Sequence, residues 1–491
     1  MSVSIVLDSR ASRFRGPLVA MLDVRGWQSM RLDRHVKRRI LHGLGANAYG
    51  QLVVIIVQLA GVPILLHAWG TQLYGEWLIL AAIPTYLSMA DLGFSQSAGN
   101  DMTARMARGD VAGALAVFQS LSVLVYGVAV AGLLISAIGI WFLPIPQWFH
   151  FARLGVGEVR WIVWLLAAEV LIKLADGVNH AGFRSHGDFA LHVFIYWTTM
   201  LAQMSAVWAL AMLGYGPLAA AAAFAGIRAL GTACSAVWLL RRHRDLRLGV
   251  EHARRAELQR LAKPAIANLS MPLAMALNIQ GMVLVVGAIL GPLAVVVFAT
   301  LRTLTRMALQ AVWQVAHAFE PELASAWGNG DKVLLRRLYL SAQRAGFWLA
   351  LAAAAALWWA GPWILTVWTH AKVAMNLPLF SWLLLSAVAS VLWYCALNLL
   401  KAGNVHLRAT LLYALSAAGS VVLAILLLRT TCRIADAGLA LLVTDALMAT
   451  YLLRSAARIF GTTVRDLIGS TLDPRPLILH FNRMLSHVAG R

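Results

Sequence analysis

Apolar runs of about 20 residues, separated by short polar gaps, recur along nearly the whole of this chain. Wound as a helix, a run of that length matches the hydrocarbon thickness of a bilayer. Lipid offers no partner to an unpaired backbone polar group, so an open chain crosses it only as α-helix. The pattern therefore predicts an all-α integral membrane protein with about twelve spanning helices. They fall at roughly 43–68, 74–98, 114–141, 161–182, 189–213, 217–240, 265–290, 292–318, 345–369, 377–400, 407–428 and 435–457. The expected organisation is a basic tail (1–42), a six-helix bundle (43–240), a basic linker (241–264), a second six-helix bundle (265–458) and a tail (459–491), the bundles enclosing a central cavity. The joint at Gly291-Pro292 is short enough to fuse two runs into one span.

Composition agrees with this reading. Hydrophobic residues make up 60% of the 491 positions and charged residues 13%, where a soluble domain needs about a quarter charged. The net charge of +20 would suggest nucleic acid in a soluble protein. Here the 41 Lys and Arg are sorted instead: 32 fall in the tails and the gaps of one side, five (Arg153, Arg160, Lys372, Arg429 and Arg433) on the other, and four within spans. Such asymmetry is the positive-inside pattern, which excludes a nucleic-acid role and places the basic side and both termini in the cytoplasm. Residues 1–42 lack the apolar core of a cleavable signal peptide. Cys234, Cys395 and Cys432 form no CxxC pair and suggest neither a disulfide framework nor a zinc site. Tryptophans near span ends, such as Trp69, Trp141, Trp161 and Trp363, fit an interfacial belt.

A faint repeat relates the two halves. At an offset of 221 residues, Ala46-Asn47 matches Ala267-Asn268, Gly70 matches Gly291, and Trp77 matches Phe298. Repeated halves are how many transporters build a site at the bilayer midplane.

Candidate chemistry is confined to the membrane. No phosphate-binding loop, nucleotide fingerprint or metal-spaced His/Cys cluster occurs. The longest external segment, about 142–160, carries little beyond Glu158 and His150 for acid–base work. A glycan polymerase or ligase is thus disfavoured as a third alternative. Charges within spans each cost about 2.5–3.5 kcal/mol at midspan and ask for a reason. Arg302 and Arg306 lie four apart, on one helix face, in a span without acids. Either they hold an anion, with phosphate suiting the guanidinium fork, or they pair with acids on other helices or snorkel to the surface. Glu169, Lys173 and Asp176 are spaced as a self-neutralising triad along one helix, or as carboxylates that exchange a proton or sodium ion. Arg228 either lines a cavity or pairs with Asp91 or Glu169. Asp91 is a candidate for cation coupling or a helix-end cap, and Asp445 reads as structural. Asn47, Gln51, Asn268, Asn278 and Asn398 read as buried interhelical amides. Pro63, Pro84, Pro272 and Pro292 are expected to interrupt spans.

The run Gly70-Thr71-Gln72-Leu73-Tyr74-Gly75-Glu76-Trp77, followed by Ala90-Asp91-Leu92-Gly93-Phe94, resembles the first two helices of polysaccharide transporters. These are the O-antigen and lipid-linked oligosaccharide flippases of the multidrug/oligosaccharidyl-lipid/polysaccharide exporter superfamily. Ala299-Thr300-Leu301-Arg302-Thr303-Leu304, through Pro321-Glu322-Leu323 to Gly330-Asp331, is similar to that family's eighth helix and following loop. The resemblance implies two six-helix bundles open alternately to either side. It implies cargo on an undecaprenyl diphosphate carrier, flipped from the cytoplasmic to the periplasmic leaflet of a bacterial inner membrane. A cationic cavity is expected, which suits Arg228, Arg302 and Arg306, with Lys173 as a fourth candidate. Coupling to a proton or sodium gradient would fall to Asp91, Glu169 or Asp176. No cofactor is implied. Partners would be membrane lipids, a polysaccharide polymerase and a chain-length regulator. Cation-coupled drug or metabolite antiporters of the same superfamily are the alternative.

Overall fold

In the computed structural model of the chain, the described residues are 34–89 and 93–475. The expectations for 1–33, 90–92 and 476–491, Asp91 among them, lie outside these residues. The first helix, α1 (Arg34–Ala82), is 49 residues long but turns at Gly70, whose φ of 71° and ψ of 176° belong to a region essentially reserved for glycine. Eight residues of straight helix rise about 12 Å, yet the rings of Trp69 and Trp77 lie 5.5 Å apart across this turn. The chain then continues through a 3-10 stretch (Ile83–Met89) containing Pro84, which has no N–H to give an α ladder. The first half is completed by α2 (Phe94–Ala107), α3 (Val111–Phe142), the short α4 (Ile145–Trp148), α5 (Val156–Ser185), α6 (Phe189–Met212) and α7 (Pro217–Arg242).

The second half opens with α8 (Arg255–Ala276), a π turn (Leu277–Gly281) and α9 (Met282–Leu290). It continues with α10 (Pro292–Ala318), the short α11 (Glu320–Gly328), α12 (Lys332–Thr369), α13 (Leu377–Ala402), α14 (Leu407–Thr431), α15 (Ala435–Phe460) and the short α16 (Val464–Leu472).

Nine helical stretches among the described residues are long and apolar enough to cross a membrane. One of them, Gly45–Ser88, folds at Gly70 and supplies two crossings. A bent pair, Pro292–Met307 with Val312–Gly328, supplies another. Helix α5 spans 30 residues but carries Glu169, Lys173 and Asp176 at its centre, and falls outside the apolar set. Counting it gives the twelve traverses expected. The outward surface is apolar: Leu134, Ile135, Ile138 and Phe142 are 62–81% exposed, which suits lipid rather than water.

The internal repeat has a backbone basis. Gly291, at φ 82° and ψ 178°, separates α9 from α10 in nearly the conformation of Gly70. The Gly291-Pro292 joint therefore separates two helices rather than fusing them. Pro292 sits at the first helical turn, where no N–H is missed, so it starts a helix instead of interrupting one. The same offset of 221 residues relates the caps of α3 and α12: the Asp110 side chain accepts from Gly113 N, and the Asp331 side chain from Leu334 N, both at 2.9 Å.

Helix α8 belongs to both halves. Its Leu261 and Ala265 pack with Phe94, Met102 and Phe118 of the first half, while its Ala274 packs with Tyr339, Trp393 and Leu400 of the second. Crossed ion pairs fix its start: Arg260 donates to Asp101 at 2.8 Å and Arg105 to Glu257 at 2.8 Å. Hydrogen bonding from Arg260 holds the Asp101 carboxyl below its ordinary range. At the opposite end, Trp368 donates to Leu59 O at 2.8 Å and Lys372 to Leu66 O at 3.2 Å, again joining the halves. Buried Glu76, within the Gly70–Trp77 motif, accepts from the backbone N–H groups of Ala152, Arg153 and Leu154 at 2.9–3.1 Å. It anchors the segment that joins α3 to α5.

Candidate functional site

The intramembrane charges separate into two sets, one per half. In the first half, Arg228 of α7 donates from Nε to Glu169 Oε1 of α5 at 2.9 Å. Gln203 of α6 donates to the same oxygen at 3.2 Å and to Phe224 O at 2.8 Å. Arg228 and Glu169 are only 3% and 6% exposed, and the guanidinium lies 5.2 Å from the Tyr196 ring centre. Asp176 turns elsewhere. It accepts from Asn179 Nδ2 at 3.0 Å and sits 3.3 Å from His192 Nε2. Lys173 is exposed, with its ammonium 5.8 Å from Tyr196.

The expected triad along α5 is thereby corrected: Glu169 and Asp176 find partners on other helices, and Lys173 reaches neither within ion-pair distance. Of the alternatives for Arg228, pairing with Glu169 is the one the geometry realises. Asn47 and Gln51 are exposed, correcting their reading as buried amides.

The second half holds a cavity of about 290 Å³ lined by Arg302, Arg306, Asn278, His317, Tyr394, Tyr413 and Asp445 among others. Among the described residues, its lining comes from elements after Arg255. Arg302 donates through Nη1 to Asn278 O at 3.0 Å and Ile279 O at 3.4 Å, and through Nη2 to Asn278 Oδ1 at 2.7 Å. These acceptors belong to the π turn. There the regular α-helical bonding is shifted by one residue, and backbone carbonyls become available to a neighbour.

Helix periodicity puts Arg306 one turn further on the same face, where its guanidinium lies 6.0 Å from the Trp313 ring centre. Among the described residues, no carboxylate oxygen lies within 4.0 Å of either guanidinium. Arg302 is therefore held by neutral acceptors and the Phe298 face, and Arg306 by the Trp313 face. An anion entering the cavity would meet them without first breaking a contact ion pair.

Asp445, whose sequence position reads as structural, belongs to α15. It lines the same cavity, accepts from Trp393 Nε1 at 2.9 Å, and takes a short hydrogen bond from the Ser386 hydroxyl. A lone carboxylate in the middle of the last span is itself a functional signal. At the cavity's end, His317 contacts Glu320 through Nδ1 at 2.9 Å and Tyr394 through Nε2 at 2.8 Å.

No family model and no curated protein sequence matches the chain. Solved structures do. A multidrug resistance MATE family transporter of the MOP superfamily, in an inward-facing conformation, superimposes with a TM-score of 0.67 at 17% identity, covering 84% of this chain and 99% of that one. An outward-facing multidrug resistance MATE family transporter of the same superfamily gives 0.57 at 18% identity, covering 86% and 96%. The lipid II flippase MurJ, in an inward closed conformation, gives 0.63 at 11% identity, covering 91% and 92%. The chain thus has the fold of MOP-superfamily transporters, whose helices form two bundles of six. Drug exporters and a lipid flippase share this fold, so the choice of cargo rests on the site.

Proposed function

We propose that this chain is a flippase for an undecaprenyl-diphosphate-linked oligosaccharide. It would move its cargo by alternating access from the cytoplasmic to the periplasmic leaflet of a bacterial inner membrane, for O-antigen or exopolysaccharide assembly. The observation that carries this reading is the pair of cavity-lining guanidiniums, Arg302 and Arg306, with no carboxylate in ion-pair distance among the described residues. A diphosphate is a dense anion with oxygens suited to guanidinium forks. The cavity's 290 Å³ sits at the lower end of small-ligand sites, about 300–1,000 Å³. It suits the diphosphate and an adjoining sugar, with the lipid tail left in the bilayer. The basic face would be cytoplasmic, with both termini on that side. A polysaccharide polymerase and a chain-length regulator would act downstream. No covalent bond changes in this process, so the chain acts as a transporter and not an enzyme.

The test is a strain lacking this gene, complemented with wild type or with Arg302→Ala/Arg306→Ala. Surface polysaccharide is measured at matched levels of inserted protein. The double variant should lose export. Full export would remove both residues from the mechanism.

A second reading, a cation-coupled drug or metabolite antiporter, is favoured by one observation: Asp445 faces the same cavity. On that reading, Asp445→Asn abolishes proton- or sodium-driven dye efflux, while the arginine variants retain it.

A further inference from the structure

A cluster unconnected with the cavity lies where two helices of the first half end on the basic face. Helix α5 stops at Ser185 and α7 at Arg242, so His186 and His243 occupy the two C-cap positions. Asp245 follows in the next turn. One ligand atom from each of His186, His243 and Asp245 lies within 4.8 Å of the other two, and all three residues are half-buried. The imidazole rings are 4.2 Å apart between centres.

Hydrogen bonds fix the chemistry of His186. Its Nδ1 lies 3.1 Å from Gly182 O and 3.0 Å from Ser185 Oγ. The Ser185 hydroxyl itself donates to Gly182 O at 2.8 Å, so both oxygens are free to accept, and Nδ1 carries the proton. In the neutral ring Nε2 is then a bare lone pair. It points at Asp245 Oδ2 from 2.7 Å, placing two electron-pair donors face to face. A cation must lie between them: a second proton on the ring, or a metal ion. An imidazole N–H bonded to a backbone carbonyl is the usual orienting contact of a metal-bound histidine. Asp188, 3.0 Å from His243 Nε2, is a carboxylate placed to orient that ring or to complete the coordination.

We infer that His186, His243 and Asp245 form a site for one divalent first-row transition metal ion of the zinc class. Two imidazoles and a carboxylate, without thiolate, are a ligand set zinc accepts, with tetrahedral geometry and a fourth position open. Tetrahedral bonds of about 2.0–2.2 Å set ligand atoms roughly 3.3–3.6 Å apart, so the 2.7 Å His186–Asp245 contact must open while any wider pair, within the present 4.8 Å limit, closes. Side chains at helix ends, half-exposed, can do this by rotating. Occupancy would tie the end of α5 to the segment after α7 and make the base of the first half a single rigid unit.

The test uses full-length, tag-free protein in detergent, stripped with chelator and dialysed. Cobalt(II) is titrated and followed by its visible ligand-field spectrum, and zinc(II) by calorimetry and thermal unfolding. One equivalent per chain is expected, with an intense tetrahedral cobalt band bleached by zinc and a raised Tm. His186→Ala and His243→Ala should each weaken zinc at least ten-fold and remove the Tm increase. Asp245→Asn, which keeps the local hydrogen bonds, should weaken it less. Absence of stoichiometric cobalt or zinc binding in the wild type overturns the inference, whatever the variants do. Binding unchanged in the His186→Ala/His243→Ala double variant overturns it equally.

Discussion

Arg228 and Arg302 are both guanidiniums at membrane depth, one in each half, the first buried and the second half-buried, and their surroundings differ in kind. Arg228 faces a carboxylate, Glu169, which a glutamine also contacts, so its charge is already countered. Arg302 faces carbonyl oxygens and an amide, with a second guanidinium one turn away and an open cavity in front. A buried charge is tolerable when its hydrogen bonds are met, but only a counter-charge cancels its field. The first arrangement is a structural tie. The second keeps its positive potential available. In the sequence both stand in apolar spans without an acid, Arg302 with Arg306 one turn away. What separates them is the identity of the acceptor.

The comparison breaks most decisively at Glu169. Replacing it by Ala leaves Arg228 buried beside no counter-charge and should cost about 3–5 kcal/mol, read as a large fall in Tm or in folded yield. Glu169→Leu with Arg228→Met, which removes both charges, should regain most of that loss. If Glu169→Ala alone is silent, the pair is not a structural tie. At Arg302 the effect should fall on transport. Arg302→Lys keeps the charge but loses the fork, and should lower export about ten-fold or more, since charge-assisted hydrogen bonds are worth about 1.5–3 kcal/mol. Stability should change much less than in Glu169→Ala. Equal destabilisation of the two would erase the distinction.

A smaller effect sharpens the same point. Asn278→Ala removes the side chain that occupies Arg302 Nη2 and should cost about 1 kcal/mol of stability. It should also tighten pyrophosphate binding to the purified protein, measured by calorimetry, because a competing acceptor is gone. Weaker binding would mean that Asn278 positions Arg302 for the anion.

The smallest effect lies at the surface. Asp101 has its carboxyl held below its unfolded value by Arg260, so its contribution is complete above the unfolded pKa of about 4 and fades as pH falls through the lower, folded value. Asp101→Asn should remove about 1 kcal/mol or less at neutral pH and nothing once the wild-type carboxyl is protonated. Thermal unfolding from pH 7 down to pH 3 checks this.

Much of the architecture could be read from hydropathy because each apolar run reports its own environment. The repeat was legible at Gly70 and Gly291 because an unusual backbone conformation demands glycine at both. The matched caps at Asp110 and Asp331 carry a weaker mark, since other residues cap helices too. The site was half legible. Arg302 and Arg306 stand out as charges in an apolar run, but their acceptors lie in a π turn at 277–281 that no residue pattern announces. The partner of Arg228 is 59 positions away, and intramembrane charges do not name their partners. Asp445 reads as structural from the sequence, and its hydrogen bonds from Ser386 and Trp393 agree with that; that it shares a cavity with two arginines of another helix is visible only in the fold.

Helix α8 is seated at one end among side chains of the first half and at the other among those of the second. Relative rotation of the halves would load the stretch between these seats, and the π turn that follows is the place where its regular bonding is already broken. Arg302 grips that turn through three hydrogen bonds. On the proposed reading, an anion that drew those N–H groups away would slacken the turn, and by reciprocity any force that slackened the turn would raise affinity for the anion. One guanidinium would then make loading and bending two readings of a single equilibrium.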